Sequence, residues 1–145
     1  MPLDIPDAPS CVFCEVLDGQ RPYTVLYRGS RVATLVTREQ RGIGHVLVMP
    51  LAHRPSILDL DDAELDPLLR AVRDAARAIS AAHDPAGIAI WQNNGRPAHQ
   101  TVGHLHIHVA GTNAGGANWG QVPRLDVTDT DRVADTLARH LGARP

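Results

Sequence analysis

Residues 103–111, GHLHIHVAG, alternate one by one: His104, His106 and His108 are interleaved with Leu105, Ile107 and Val109. Successive side chains of a strand point to opposite faces, so this period of two predicts a strand with three imidazoles on one face. Its aliphatic face is the core face. The imidazoles then form a row roughly 6.6–7 Å apart along the backbone. Such a row has three possible uses. It is the polar face of an edge strand, part of a metal site completed by other ligands, or a catalytic set in which one imidazole attacks and its neighbours fix tautomers and protonate a leaving group. Serine, threonine or lysine would serve the first use as well, which favours the other two. A histidine attacking phosphorus needs donors for the phosphate oxygens, and Asn93, Asn94, Gln100 and Thr101 stand just before the row.

The rest of the chain supplies strands and two longer helices. CVFCEVLDG (11–19) predicts a short helical turn carrying Val12, Phe13 and Val16. TVLYRGSRVATLVT predicts two strands about the turn Arg28-Gly29-Ser30, and HVLVMP (45–50) a third strand ended by Pro50. Over 61–83 a helical period places Leu65, Leu68, Leu69, Val72, Ala76 and Ile79 on one face, with Asp61 and Glu64 spaced as a capping box. Pro67 either marks the true start of that helix or kinks its first turn. GIAIWQ (87–92) predicts a further strand, NNGRPAHQ a polar loop, and TDTDRVADTLARHL an amphipathic helix with Val133, Leu137 and Leu141. Strands with a segregated long helix indicate an α+β domain. Residues 1–10, with three prolines, predict a loose leader, 11–111 the domain proper, and 112–145 a loop and helix packed on it.

Composition narrows the partners. All fourteen basic residues are arginine, which excludes a lysine nucleophile. A net charge of −2 gives no electrostatic footprint for nucleic acid, and no apolar run approaches the roughly 20 residues that span a bilayer. MPLDIPDAPS lacks a positive region followed by an apolar run, so no signal peptide is expected and a cytoplasmic location follows. That location argues against a disulfide between Cys11 and Cys14.

QNNG…QTVGHLHIHVAG resembles the signature of the histidine-triad (HIT) family, nucleotidyl hydrolases and transferases acting at an α-phosphate. The similarity spans about residues 11–111. It includes, in order, the C-x-x-C pair, the hairpin, the strand from Gly44 to Pro50, a histidine after it, the long helix and the Q-N-N-G segment. The fold it implies is an antiparallel meander sheet with one long and one C-terminal helix, the sheet continued across a homodimer. It also implies that His106 is the nucleophile, forming a covalent nucleotidyl-histidine, with His108 beside the leaving group and His45 behind them. Gln100 and Thr101 match positions that bind phosphate oxygens, and Asn93 one that orients the phosphate. Cys11, Cys14, His53 and His104 match the zinc ligands of the family's zinc-bearing branch, and two thiolates with two imidazoles make a closed structural site. Val12, Phe13, Val16 and Leu35 fall where the family builds an apolar cleft for the base of a purine nucleotide, though as residues they are equally ordinary core.

Three positions depart from the pattern. Thr37 stands where many members carry an acidic residue for the ribose hydroxyls, and a hydroxyl accepts less than a carboxylate. His99 replaces a glycine beside the phosphate positions and either narrows the site or adds a fourth imidazole to it. Gly103 replaces a common aromatic, which is expected to loosen packing there. The resemblance implies a phosphoramidase or nucleotidyl hydrolase; a nucleotidyltransferase of the same chemistry and a zinc-stabilised nucleotide-binding protein are the rivals.

Overall fold

The computed structural model describes residues 1–142, so the last three residues of the expected C-terminal segment lie outside it. The domain is α+β. A short helix α1 (Val12–Leu17) precedes strands β1 (Thr24–Arg28), β2 (Val32–Val36) and β3 (Ile43–Pro50). A long helix α2 (Asp62–His83), strands β4 (Gly87–Gln92) and β5 (Ile107–Thr112), and helix α3 (Val127–Ala138) follow. The five strands form one antiparallel sheet in the order β1-β2-β3-β5-β4. The first three run as a meander. β5 then inserts beside β3 and leaves β4 at the edge.

Alternation along the strands gives the sheet two different faces. Val32, Val36, Val46, Val48 and Val109 meet α2 and α3, where Leu68, Val72, Ile79 and Leu137 complete the larger core cluster. Ala33, Leu35, Leu47 and Met49 point the other way and meet Phe13, Val16 and Leu17 of α1. Full burial of one such aliphatic side chain is worth about 1.5–3 kcal/mol, so both faces contribute to holding the sheet.

The long helix buries a different stripe from the one its periodicity suggests. Leu65 and Leu69 are 50% and 68% exposed, whereas Ala71, Ala75 and Ala78 are buried beside Leu68, Val72 and Ile79. Alanine lets the helix approach the sheet closely, and that close approach decides which face turns inward. The capping box forms: the Glu64 carboxylate accepts from the Asp61 amide at 2.8 Å, and α2 begins at Asp62. Pro67 therefore lies inside the helix, where it removes one intrahelical bond without setting the start. α3 ends at Ala138, and Leu141 packs against the larger core from beyond the helix.

The histidine strand is shorter than its alternation suggests. β5 begins at Ile107, while the chain entering it bends at Gly103 and His104. The ladder with β3 ends at Val48 opposite Ile107, two residues before β3 itself ends at Pro50. The loop beyond it takes over instead. Arg54 accepts from the Leu105 amide at 2.7 Å, and Pro55 accepts from the Gln100 side chain at 2.8 Å. Leu105, Ile107 and Val109 nonetheless all pack on the α2 side, so the expected division of faces holds.

The N-terminal leader is also placed. Asp4 pairs with Arg96 through its carboxylate and accepts from the Arg96 amide at 2.7 Å. Pro6 passes directly over Gly103, where any Cβ would collide with its carbonyl oxygen. The missing side chain at Gly103 seats the leader rather than loosening the packing.

Candidate functional site

The site lies on the α1 side of the sheet, opposite the long helix. Leu47 of β3 and Trp91 of β4 both stand opposite His108 of β5. Just upstream in β3, Gly44 adopts φ +64° and the ladder slips between Ile43 and Val46. This glycine bulge re-aims the next residue, His45, toward His108. Phe13 of α1 meets the row from the other side, its ring edge-on to His106 at 5.0 Å between centroids.

Hydrogen bonds assign the protons of these rings. The Arg41 amide donates to His45 Nδ1 at 3.0 Å, so the proton of a neutral His45 is on Nε2. That nitrogen lies 3.0 Å from His108 Nδ1, which must accept and leaves the His108 proton on Nε2. His106 Nδ1 donates to the His104 carbonyl at 2.7 Å, which leaves its Nε2 with a free lone pair. Burial disfavours a charge on all three rings. It is the largest cause lowering His45 to about 4 and His108 to about 2, with Arg41 and the neighbouring histidines adding to it. His106 is shifted down by burial in the same direction. The row therefore offers one bare nitrogen at His106 and one N–H donor at His108, in adjacent rings 5.0 Å apart.

The first histidine of the row, His104, faces another task. His104 Nε2 donates to the Pro50 carbonyl at 2.9 Å, turning the lone pair of Nδ1 toward two sulfurs. Nδ1 lies 3.4 Å from Cys11 Sγ and 3.6 Å from Cys14 Sγ, and His53 Nδ1 lies 3.5 Å from Cys14 Sγ. A tetrahedral zinc ion with ordinary Zn–S and Zn–N lengths separates its sulfur and nitrogen ligands by about 3.5 Å. All four ligand atoms fall within 4.8 Å of one another, so the donor set and its spacing fit such an ion. Burial, and after it the adjoining Cys11, push the Cys14 thiol up to about 11. Both cysteines are free thiols. The tight first turn of α1 builds this half of the cluster, with Cys11 as N-cap accepting from the Cys14 amide at 3.3 Å.

The other residues singled out by sequence divide into surface and support. Thr101 and His99 are exposed, and His99 takes a left-handed conformation, φ 69°, closing the short turn Arg96–Ala98. Asn93 donates to the Ala98 carbonyl at 2.7 Å and so ties this loop to the end of β4. Gln100 is buried, and its side chain is engaged with Gly95, Pro55 and Val102, which makes it a brace of the loop. Leu35 has no exposed surface and lies in the core beneath α1. Thr37 is buried, and its hydroxyl accepts from the Glu39 amide at 3.3 Å.

Sequence reasoning missed three contributors. Gln40 brackets the His45 peptide, accepting from its N–H at 2.9 Å and donating to its carbonyl at 2.8 Å. Arg41 supplies the amide that orients His45. Trp91 stacks flat on His108, centroids 4.6 Å apart and planes 5° from parallel. The period of β4 could have shown that Trp91 shares a face with the site, but nothing in the sequence pairs it with His108.

Residues 18–115 match the family described as the HIT domain. Adenosine 5'-monophosphoramidase hnt1 of Schizosaccharomyces pombe is 32% identical over 100 residues, covering 69% of this chain and 72% of that protein. A Zn-bound histidine triad family protein from Mycobacterium smegmatis superposes with a TM-score of 0.76 at 27% identity, over 91% of this chain and 93% of that one. A Hit-like protein of Bartonella henselae shares the fold with a TM-score of 0.85 at 24% identity, over 95% of this chain and 100% of that one.

Proposed function

This chain belongs to the HIT family, and on that premise we propose that it is a nucleotide hydrolase, a phosphoramidase cleaving at an α-phosphate through a nucleotidyl-His106 intermediate. The observation that carries the proposal is the proton assignment. His106 presents an unprotonated Nε2 while its Nδ1 is held by the His104 carbonyl, and His108 beside it presents an N–H. In the first step a bond forms from His106 Nε2 to phosphorus as the bond from phosphorus to the leaving nitrogen or oxygen breaks. The leaving atom needs a proton, and His108 Nε2–H is the donor at that side. Water then attacks phosphorus and gives a proton back to His108 Nε2 as the bond to His106 breaks, so both rings return to their starting state and the two steps balance. Splitting one displacement into two lowers each barrier. The monophosphoramidase named in Schizosaccharomyces pombe supports this reaction class.

Thr101 and the loop amides around it would hold phosphate oxygens, with Asn93 and Gln100 bracing that loop, and His99 standing at its rim. Phe13 would form the apolar wall for a purine base, with Leu35 as core beneath it. Thr37 would sit near the ribose, where it brings no charge. Cys11, Cys14, His53 and His104 would hold a structural zinc ion. A closed tetrahedron of this kind would tie α1, the loop after β3 and the histidine segment together, and it leaves no position for substrate. The unpaired edge of β4, with Ile88 and Ile90 exposed, supports a homodimer that extends the sheet. No helix among the described residues is long and apolar enough to cross a membrane. A reducing cytoplasm would keep both thiols available for metal.

The test is incubation with adenosine phosphoramidate and with dinucleoside polyphosphates, following product and intact protein mass. Turnover with a nucleotidyl adduct that His106→Ala abolishes is expected. An active His106→Ala protein would remove the nucleophile, and product appearing only with a phosphorylated acceptor would make the chain a transferase. AMP binding with neither turnover nor adduct would make it a binding protein.

A further inference from the structure

His108 is held at one atom and covered on one face. The hydrogen bond from His45 fixes Nδ1, but a single bond leaves an imidazole free to rock about the N–H···N axis. Trp91 removes that freedom. It stands directly opposite His108 in the β4–β5 register, and its indole lies 5° from parallel to the imidazole at 4.6 Å. Cross-strand partners share a face, so the stack follows from the register itself. Trp91 also touches His45, with ring centroids 5.1 Å apart.

The indole is itself backed. Trp119, from the loop between β5 and α3, meets Trp91 edge to face at 4.8 Å. Arg41 straps this loop down: its carbonyl accepts from the Asn118 amide at 2.8 Å, and its guanidinium donates to the carbonyls of Asn118 and Gly120. The Arg41 amide also orients His45. One residue thus holds both the ring that bonds His108 and the loop behind the ring that stacks on it.

We propose that Trp91 is a positioning residue for His108, its flat indole holding the imidazole so that Nε2–H donates along a fixed line to the leaving atom. This rests on the hydrolase function proposed above. An aliphatic side chain would fill the same space without a flat face. The indole N–H donates and cannot accept, so Trp91 does not compete for the His108 proton.

The test compares Trp91→Leu and Trp91→Phe on two substrates: a nucleoside phosphoramidate with an alkylamine leaving group, and the nucleotide ester of p-nitrophenol, which departs without a proton. Because kcat/KM covers the steps up to formation of the adduct, it is the quantity to measure. Trp91→Leu is expected to lower kcat/KM for the amine substrate about 10- to 100-fold, the scale of a misdirected general acid, while the p-nitrophenyl ester loses less than about threefold. Trp91→Phe, which keeps a flat ring, should restore the amine reaction to within about threefold of wild type. Equal losses on both substrates, or an unimpaired amine reaction in Trp91→Leu, would overturn the positioning role alone. If wild type cleaves neither substrate, the hydrolase function falls, and the positioning role with it.

Discussion

The Arg41 amide donates to His45 Nδ1 at 3.0 Å, and this one bond settles where the protons lie on two histidines. Without it His45 could carry its proton on either nitrogen, and His108 Nδ1 would have no assured donor. His45→Gln retains an amide N–H that can reach His108, whereas His45→Leu does not. On adenosine phosphoramidate, His45→Leu should lower kcat/KM by about tenfold or more, with His45→Gln between it and wild type. Equal rates for wild type and His45→Leu would show that the relay has no part in turnover.

The same burial makes stability depend on pH. His45 falls from its ordinary 6.5 to about 4 in the fold, so between those values the unfolded chain binds the extra proton. Stability contributed by the neutral ring is complete above pH 6.5 and is lost as pH falls toward 4, on the order of 3 kcal/mol for a shift of this size. His108 acts in the same direction. Urea unfolding across this range should show stability falling with acidity, and His45→Gln should flatten the slope. A slope unchanged in that variant would assign the effect to other groups.

Elemental analysis of undenatured protein should give close to one zinc per chain. Cys14→Ser should lose most of it and melt several degrees lower, since binding to the folded state alone contributes to stability. Metal well below one equivalent in wild type would rule out the structural centre.

Gly103→Ala should destabilise the protein by about 1–3 kcal/mol, because its methyl group meets the Pro6 carbonyl rather than open space. In a chain lacking residues 2–7 the same substitution should cost under about 0.5 kcal/mol. An equal cost in both backgrounds, read from denaturant midpoints, would mean that the leader is not what excludes a side chain there.

What the sequence showed depended on how local the signal was. The C-x-x-C turn and the Asp61–Glu64 cap are short patterns whose geometry follows from their own backbone, and the structure forms both. The inward stripe of α2 was misjudged because hydrophobicity favours Leu65 and Leu69, while close packing on the sheet favours Ala71, Ala75 and Ala78. β5 starts where its ladder with β3 ends, at Ile107 opposite Val48, while the alternation of its own residues extends upstream of that point. Trp91 and Arg41 act through partners 17 and 4 residues away, at His108 and His45, and only the strand register and the bulge at Gly44 bring them there. Gln100 looked like a free donor because its sequence does not reveal that Gly95, Pro55 and Val102 already occupy it.

The cluster of two thiols and two imidazoles also sets a schedule for biosynthesis. Its members come from the first helical turn, the loop after β3 and the segment entering β5, so Cys11 and His104 are 93 residues apart. On the ribosome the thiols emerge early and must wait until nearly the whole sheet has been made before the second imidazole, the buried ring of His104, reaches them. A nascent or truncated chain that stops before this segment has two sulfurs and one imidazole, one ligand short of the four that a closed tetrahedral site takes. Gathering the four side chains is thus a late event in maturation, and the assembled cluster marks a chain whose histidine segment has arrived.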